Sequence, residues 1–327
     1  MREVTFAGAI REALAEEMRR DSSIFIMGED VARAGGIFKI TAGLLDEFGP
    51  NRVIDTPISE EGIVGLGVGA AMTGLHPVVE MMFGDFVCLA MDQVVNQAAK
   101  MCYMTGGQAS VPLVLRCTMG AGRASAAQHS QSLQAWFAHI PGLKVAIPAT
   151  PRDAKGLLKT ALRDPNPVLF FEDKMMYKLS GPLFDEEEAI PFGRAEVKRA
   201  GRHLTLVATS SMVHVALEAA EALAGEGIEA EVVDPRTLVP LDEETILESV
   251  RKTGRVVLID EGYQNFGVTA EIAARIADKA FDWLDAPVKR LGAADVPVPF
   301  SPALEPLTIP TATRVAELAR PLFGRRW

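Results

Sequence analysis

The stretch LTLVATSSMVHVALEAAEALAGEGIEAEVVD, residues 204–234, decides the fold class. It opens with a short apolar run of strand length at 204–208. Apolar residues then recur at helical spacing over 213–223, and a second strand-like run follows at 230–234. Strand, helix and strand in this succession form the repeating unit of a parallel sheet covered by helices. Downstream, the same alternation predicts a helix at 243–251, a strand at 256–259, a helix at 269–279, a strand at 288–291 and a closing helix at 311–322.

Upstream lies a second alternating series. Phe6, Ile10, Ala13, Leu14 and Met18 recur at helical spacing, and 24–27 reads as a buried strand. Strands are expected at 52–55, 76–81, 113–116, 143–147 and 168–171, with helices at 59–72, 87–103 and 152–162. Ser59 is expected to cap the first of these helices, with glutamates in its first turn. Between the two series, residues 181–202 hold Pro182, an acidic run at 185–188, Pro191 and Gly193. They read as an interdomain linker with little structure of its own. The expected organisation is therefore an α/β chain with two parallel-sheet domains, 1–180 and 203–327. Ligands of such sheets bind at the carboxyl ends of strands or where domains meet.

Composition narrows the function classes. With 48% hydrophobic and 23% charged residues, the chain has the apolar content of a folded protein. Its formal charge of −10 is the opposite of a nucleic-acid footprint and fits a protein that handles small molecules. Cys88, Cys102 and Cys117 form no CxxC pair, which speaks against a disulfide scaffold or a structural zinc site. No apolar run predicts a membrane span. The start, Met1-Arg2-Glu3-Val4, predicts no export or organelle signal, so the expected location is cytoplasmic.

Three stretches carry candidate chemistry. Gly65-Leu66-Gly67-Val68-Gly69-Ala70 has the letters of a dinucleotide fingerprint, with Glu80 as its ribose acid. A strand would have to end just before Gly65, where Ser59-Glu60-Glu61-Gly62 stand, and only residues 68–74 remain for a helix. A small-faced helix that admits another backbone, such as a partner subunit's, fits better; an NAD-binding dehydrogenase stays as a remote alternative. Asp55-Thr56-Pro57-Ile58-Ser59-Glu60 places carboxylates after a strand and at a helix start, where the helix N-terminus favours the ionised form. An ordinary first-turn glutamate is the plainer reading of position alone. In Ala127-Gln128-His129-Ser130-Gln131, His129 suits acid–base work near neutral pH, or is a surface or capping residue. His76, His139, His203 and His214 show no metal-ligand spacing.

Taken together, several runs resemble one family. They are 52–60 (RVIDTPISE), 92–100 (DQVVNQAAK), 127–131 (AQHSQ), 141–145 (PGLKV), 233–238 (VDPRTL) and Asp260-Glu261. The family is the β subunit of the thiamine-diphosphate-dependent decarboxylase component of 2-oxo acid dehydrogenase complexes. The resemblance spans essentially the whole chain. It implies a transketolase-like pair of domains, the first binding the aminopyrimidine of thiamine diphosphate, the second of the transketolase C-terminal type.

The resemblance also implies roles. Thiamine diphosphate works through a carbanion at its thiazolium carbon, and a carboxylate at the pyrimidine nitrogen promotes its formation. The matching carboxylate is Glu60. Phe86 matches the aromatic residue that stacks on the aminopyrimidine, and Ile58 would lie against the same ring. His129 matches the histidine implicated in passing the acyl group to a lipoyl arm. Leu113, Val114, Ala161, Asp164 and Asn166 match a potassium site, an all-oxygen set that suits a hard cation. A polar turn at Asp164-Pro165-Asn166-Pro167 reads equally well.

An absence is equally informative. Thiamine enzymes anchor the diphosphate through magnesium with a GDG motif and a later asparagine. Here Gly84-Asp85-Phe86 lacks the second glycine, and no asparagine falls between Asn96 and Asn166. An α subunit is thus expected to supply the magnesium half, giving an α2β2 heterotetramer with the cofactor between chains. The helices at 62–74 and around Met91 to Met104 are candidate interface elements, or plain core. The expected reaction is decarboxylation of a 2-oxo acid such as pyruvate, or cleavage of acetoin, with acylation of the lipoyl group of an acyltransferase core. A branched-chain 2-oxo acid enzyme is the alternative, and a non-catalytic scaffold on the same fold is a third reading.

Overall fold

The computed structural model describes residues 2–183 and 188–324. Its contacts divide the chain into two units, Met1–Met119 with Trp136–Phe192, and Gly120–Ala135 with Gly193–Trp327. In the first unit the strands are β1 (Ile24–Gly28), β2 (Val53–Asp55), β3 (His76–Met81), β4 (Val114–Met119), β5 (Lys144–Ala146) and β6 (Val168–Asp173). They pair in parallel in the order β5-β6-β4-β3-β1-β2. The central strands β4 and β6 are buried along their whole length, as helices on both faces require.

The helices of this unit follow from their caps and apolar stripes. In α1 (Phe6–Arg20) the Thr5 side chain accepts the Gly8 N–H. Further along, α2 spans Glu60–Met72. Thr150 caps α3 (Pro151–Leu162) at the Asp153 N–H, and Pro151 at the first helical position has the fixed φ a helix start needs. Phe6, Ile10, Leu14 and Met18 of α1 join Leu157, Leu158 and Leu162 of α3 in one core cluster. Each such burial stabilises by about 1.5–3 kcal/mol. The seam is closed outside by Lys155, whose ammonium pairs with Glu12 at 3.2 Å and Glu16 at 2.6 Å.

One ionic cluster lies inside the sheet layer. Arg116 of β4 donates through Nε and Nη2 to Glu172 of β6 at 2.7 and 2.9 Å, and through Nη1 to Glu80 of β3 at 2.6 Å. Tyr177 donates its hydroxyl to the same Glu172 at 2.9 Å. All four side chains are buried. One cation faces two carboxylates here. Burial, opposed by Arg116 and reinforced by Glu172, holds the Glu80 carboxyl above its ordinary range.

In the second unit the strands are β7 (Glu196–Arg199), β8 (Leu204–Ala208), β9 (Ala230–Asp234), β10 (Val256–Tyr263) and β11 (Lys289–Ala293). Their order is β11-β10-β8-β9-β7. The helices are α4 (Met212–Ala224), α5 (Glu243–Thr253), α6 (Val268–Lys279) and α7 (Ala312–Ala319). Asp242 caps α5 at the Thr245 N–H, and Gly254 ends it in the left-handed conformation. No described helix is long and apolar enough to cross a membrane.

Four local expectations need correction. The stretch 87–103 is not one α-helix. It is a 3₁₀ helix at Gly84–Ala90, a π-helix at Gln93–Ala98 and a short α-helix at Met101–Met104. The Ala99 N–H reaches the Val94 carbonyl at 3.0 Å, five residues back, and Asn96 donates to the Asp92 carboxylate at 2.6 Å. Ser59 occupies the cap position of α2, but its side chain makes no cap bond; its carbonyl takes the Ile63 N–H instead. The stretch 181–202 is more structured than a linker. Its start completes the strand Ser180–Leu183, which pairs with Arg2–Thr5, and its end holds β7. Finally, the second sheet is mixed, because β7 runs antiparallel to β9. Of the acidic run, Asp185, Glu186 and Glu187 lie outside the described residues, while Glu188 pairs with Arg152 at 2.6 Å.

Candidate active site

The carboxyl edge of the first sheet gathers most of the predicted site. Chain direction puts Glu29 directly after β1, Asp55 at the end of β2 and Glu60 at the head of α2. Glu60 is buried although it is the first residue of its helix. The helix N-terminus supplies unpaired N–H groups and a favourable dipole for its ionised carboxylate. Ile58, two residues earlier, is 80% exposed, an apolar side chain offered to whatever lies beside it.

Phe86 sits in the 3₁₀ turn that packs against α2. The turn starts at Gly84 for a steric reason. A Cβ there would stand 2.2 Å from the Thr118 carbonyl oxygen, so only glycine lets the chain cross β4 so closely. The Phe86 ring is half-buried and meets Phe83 edge-on at 6.2 Å. The structure thus brings Glu60, Ile58 and Phe86 to one edge of the first unit.

Asp55 has a different task from the one its position suggested. Its carboxylate accepts the N–H groups of Ala32 at 2.6 Å and Arg33 at 3.3 Å, tying down the loop after β1. That loop begins with Glu29, which the sequence reading missed. Burial first, then the charges of Glu60 and Asp30, push the Glu29 carboxyl above its usual range. The available signal was Glu29's place immediately after a strand.

His129 lies in the loop 120–135, which groups with the second unit. Its ring is half-buried, and its backbone N–H turns back to the Ala126 carbonyl at 3.4 Å. Gln134 of the same loop donates through Nε2 to both carboxylate oxygens of Asp260 at 3.0 Å. Burial, opposed by hydrogen bonds from Thr209, Gln134 and Gly262, raises the affinity of Asp260 for its proton.

The five residues of the implied potassium set gather at the opposite, amino edge of the first sheet, where β4, β5 and β6 begin. The Leu113 carbonyl accepts the Val168 N–H at 2.8 Å, and the Ala161 carbonyl accepts the Asp164 N–H at 3.2 Å. Val114 starts β4. Asp164 accepts the Asn166 N–H and side-chain amide at 2.9 and 3.0 Å and pairs with the Lys144 ammonium.

The glycines of the fingerprint 65–70 lie within α2, not at a turn between strand and helix. A Cβ on Gly67 would stand 2.9 Å from Val79 Cγ2 and 3.2 Å from Leu113 Cδ1. The small residue lets α2 settle on its own sheet, and the dinucleotide geometry is not built.

The carboxyl edge of the first unit's sheet thus carries a carboxylate, an apolar side chain and an aromatic ring, on one of two α/β units. Models of the transketolase pyrimidine-binding domain and of the transketolase C-terminal domain match residues 2–180 and 193–315. A solved structure titled "Split gene transketolase, inactive beta4 tetramer" superposes over 99% of both chains, with a TM-score of 0.81 and 25% identity. The acetoin:2,6-dichlorophenolindophenol oxidoreductase subunit beta of Bacillus subtilis is 48% identical over 99% of this chain and 98% of its own. The pyruvate dehydrogenase E1 component subunit beta of Rhizobium meliloti is 48% identical over 98% of this chain and 70% of its own. That of Rickettsia bellii is 50% identical over 94% of this chain and 95% of its own. The chain belongs to this family, the β subunits of thiamine-dependent pyruvate and acetoin dehydrogenases.

Proposed function

We propose that this chain is the β subunit of a pyruvate or acetoin dehydrogenase, holding the aminopyrimidine half of thiamine diphosphate and acting only with an α subunit. Thiamine diphosphate, when bound, supplies the carbanion that adds to the carbonyl of the 2-oxo acid or of acetoin. The observation that carries the reading is the buried Glu60 carboxylate at the head of α2, with exposed Ile58 two residues before it and Phe86 on the turn packed against the same helix. The donor set fits the group. A carboxylate accepts a ring N–H, an aromatic face and an aliphatic side chain suit a flat heterocycle, and an 80% exposed isoleucine is stabilised by being covered.

In this reading Glu60 holds the proton at the pyrimidine nitrogen. Ile58 and Phe86 orient the ring and exclude water. His129 serves the transfer of the acyl group to a lipoyl arm, carried by an acyltransferase core that docks the second unit. Magnesium belongs to the α subunit, which completes an α2β2 assembly. Potassium at Leu113, Val114, Ala161, Asp164 and Asn166 is a separate element, tested by comparing activity in potassium and choline salts. The test of the main reading is Glu60→Gln in the reconstituted enzyme. Pyruvate or acetoin turnover should fall by about a hundredfold or more, with the assembly intact. Unchanged turnover would make the chain a scaffold.

A further inference from the structure

The loop that carries His129 is shaped by an unusual backbone. Gly120 and Gly122 have φ of +94° and +99°, and the non-glycine residues Ala124 and Ala126 have φ of +51° and +63°. Left-handed alanines are strained and persist only where surroundings enforce them. Alternating left-handed residues also turn successive N–H groups toward one side, making a concavity for an anion. Two carboxylates of the second unit fill that role. Glu305 accepts the Gly122 N–H through Oε1 and the Ala124 N–H through Oε2, both at 2.8 Å. Glu261 accepts the Ala121 N–H at 2.7 Å. Both are buried, Glu305 at 3% exposure. Glu305 itself sits in a 3₁₀ turn, with its own N–H bonded to the Ser301 carbonyl and its carbonyl taking the Thr308 hydroxyl.

We infer that Glu305 is a positioning residue for His129: its carboxylate, with that of Glu261, clamps the N–H groups of 121, 122 and 124 and fixes the loop that presents the imidazole. The inference rests on the acyl-transfer role proposed for His129. It has a chemical signature. Two N–H donors need two acceptor oxygens. Glutamine keeps one and turns an amide N–H₂ toward the other donor, so Glu305→Gln should do part of the damage of Glu305→Ala.

The test uses the enzyme purified with its α subunit, magnesium and thiamine diphosphate. Hydrogen exchange of peptides covering 120–132 is measured in wild type, Glu305→Gln and Glu305→Ala. Losing one hydrogen bond to a charged acceptor should speed exchange there by about tenfold or more. With pyruvate as probe, kcat for acylation of a lipoyl domain should fall by at least about tenfold. KM for pyruvate should move by less than about twofold, and reduction of 2,6-dichlorophenolindophenol should fall less than lipoyl acylation. Glu305→Gln should stand between wild type and Glu305→Ala. Unchanged exchange at 120–132 would overturn the clamp. So would exchange raised throughout the second unit, or an equal fall of both activities. His129→Ala is run in parallel. If it leaves lipoyl acylation intact, the role of His129 fails, while the clamp still stands or falls on the exchange pattern.

Discussion

Arg116→Met removes the cation that joins Glu80 to Glu172 and leaves two buried carboxylates behind. Arg116 makes three charge-assisted hydrogen bonds, two to Glu172 and one to Glu80. At about 1.5–3 kcal/mol each, their sum bounds the loss at about 5–9 kcal/mol. The realised cost is smaller, because burial raises the Glu80 pKa and so favours its neutralisation once the guanidinium is gone. Breaking a buried pair by removing one partner costs about 3–5 kcal/mol. The expected loss near neutral pH is therefore about 4 kcal/mol, a fall in melting temperature of roughly 8–16 °C for a unit of this size. The sign of the pH dependence follows. Burial holds the folded-state pKa of Glu80 above its ordinary value, and Arg116, the group that opposes this, is gone in the variant. The contribution of Glu80 is fully present below the unfolded pKa and is lost as pH rises, so the deficit shrinks toward acid. Calorimetry and urea unfolding between about pH 8 and pH 5.5 read both quantities. Adding Glu80→Gln and Glu172→Gln should restore much of the loss, since the uncompensated charges go with them. A deficit under about 1 kcal/mol, or one that does not shrink with acid, would refute the reasoning.

Two further perturbations bear on the site and its support. Glu29 has a folded pKa raised by burial and by Glu60, so its contribution to stability is present below the unfolded pKa and lost as pH rises through the folded value. Glu29→Gln should flatten that part of the stability–pH curve in urea titrations; an unchanged slope would contradict it. Gly67→Ala pushes a methyl group to 2.9 Å from Val79 and should destabilise by about 1–3 kcal/mol through overpacking. Calorimetry measures the loss, and titration should find no NAD binding in either the variant or the wild type.

How much of this was legible in the sequence depends on where each signal lived. The alternation that marks β1, β3, β8 and β9 is local, because buried parallel strands are continuous apolar runs, and these came out nearly residue for residue. Glu60 was legible as a carboxylate at a helix start. The region 84–104 was misread because apolar spacing does not distinguish an α-helix from a 3₁₀ turn followed by a π-turn; the Asp92–Asn96 contact and the approach of Gly84 to Thr118 decide it. Strand β7, with sequence EVKR, has no apolar run and exists through pairing with β9. Glu305 carries no local mark, since its meaning lies in N–H groups some 180 residues earlier in the chain.

The central claim is that this chain supplies only the pyrimidine half of a thiamine site and needs a partner for the rest. Calorimetric titration of thiamine diphosphate with magnesium tests it most directly, on the chain alone and on the complex pulled down from its native host at mild salt. The chain alone should show no saturable binding. A complex containing a second subunit with the GDG motif and its later asparagine should bind tightly, and Glu60→Gln should abolish that binding. Tight binding to the isolated chain, or undiminished binding to the Glu60→Gln complex, would contradict it.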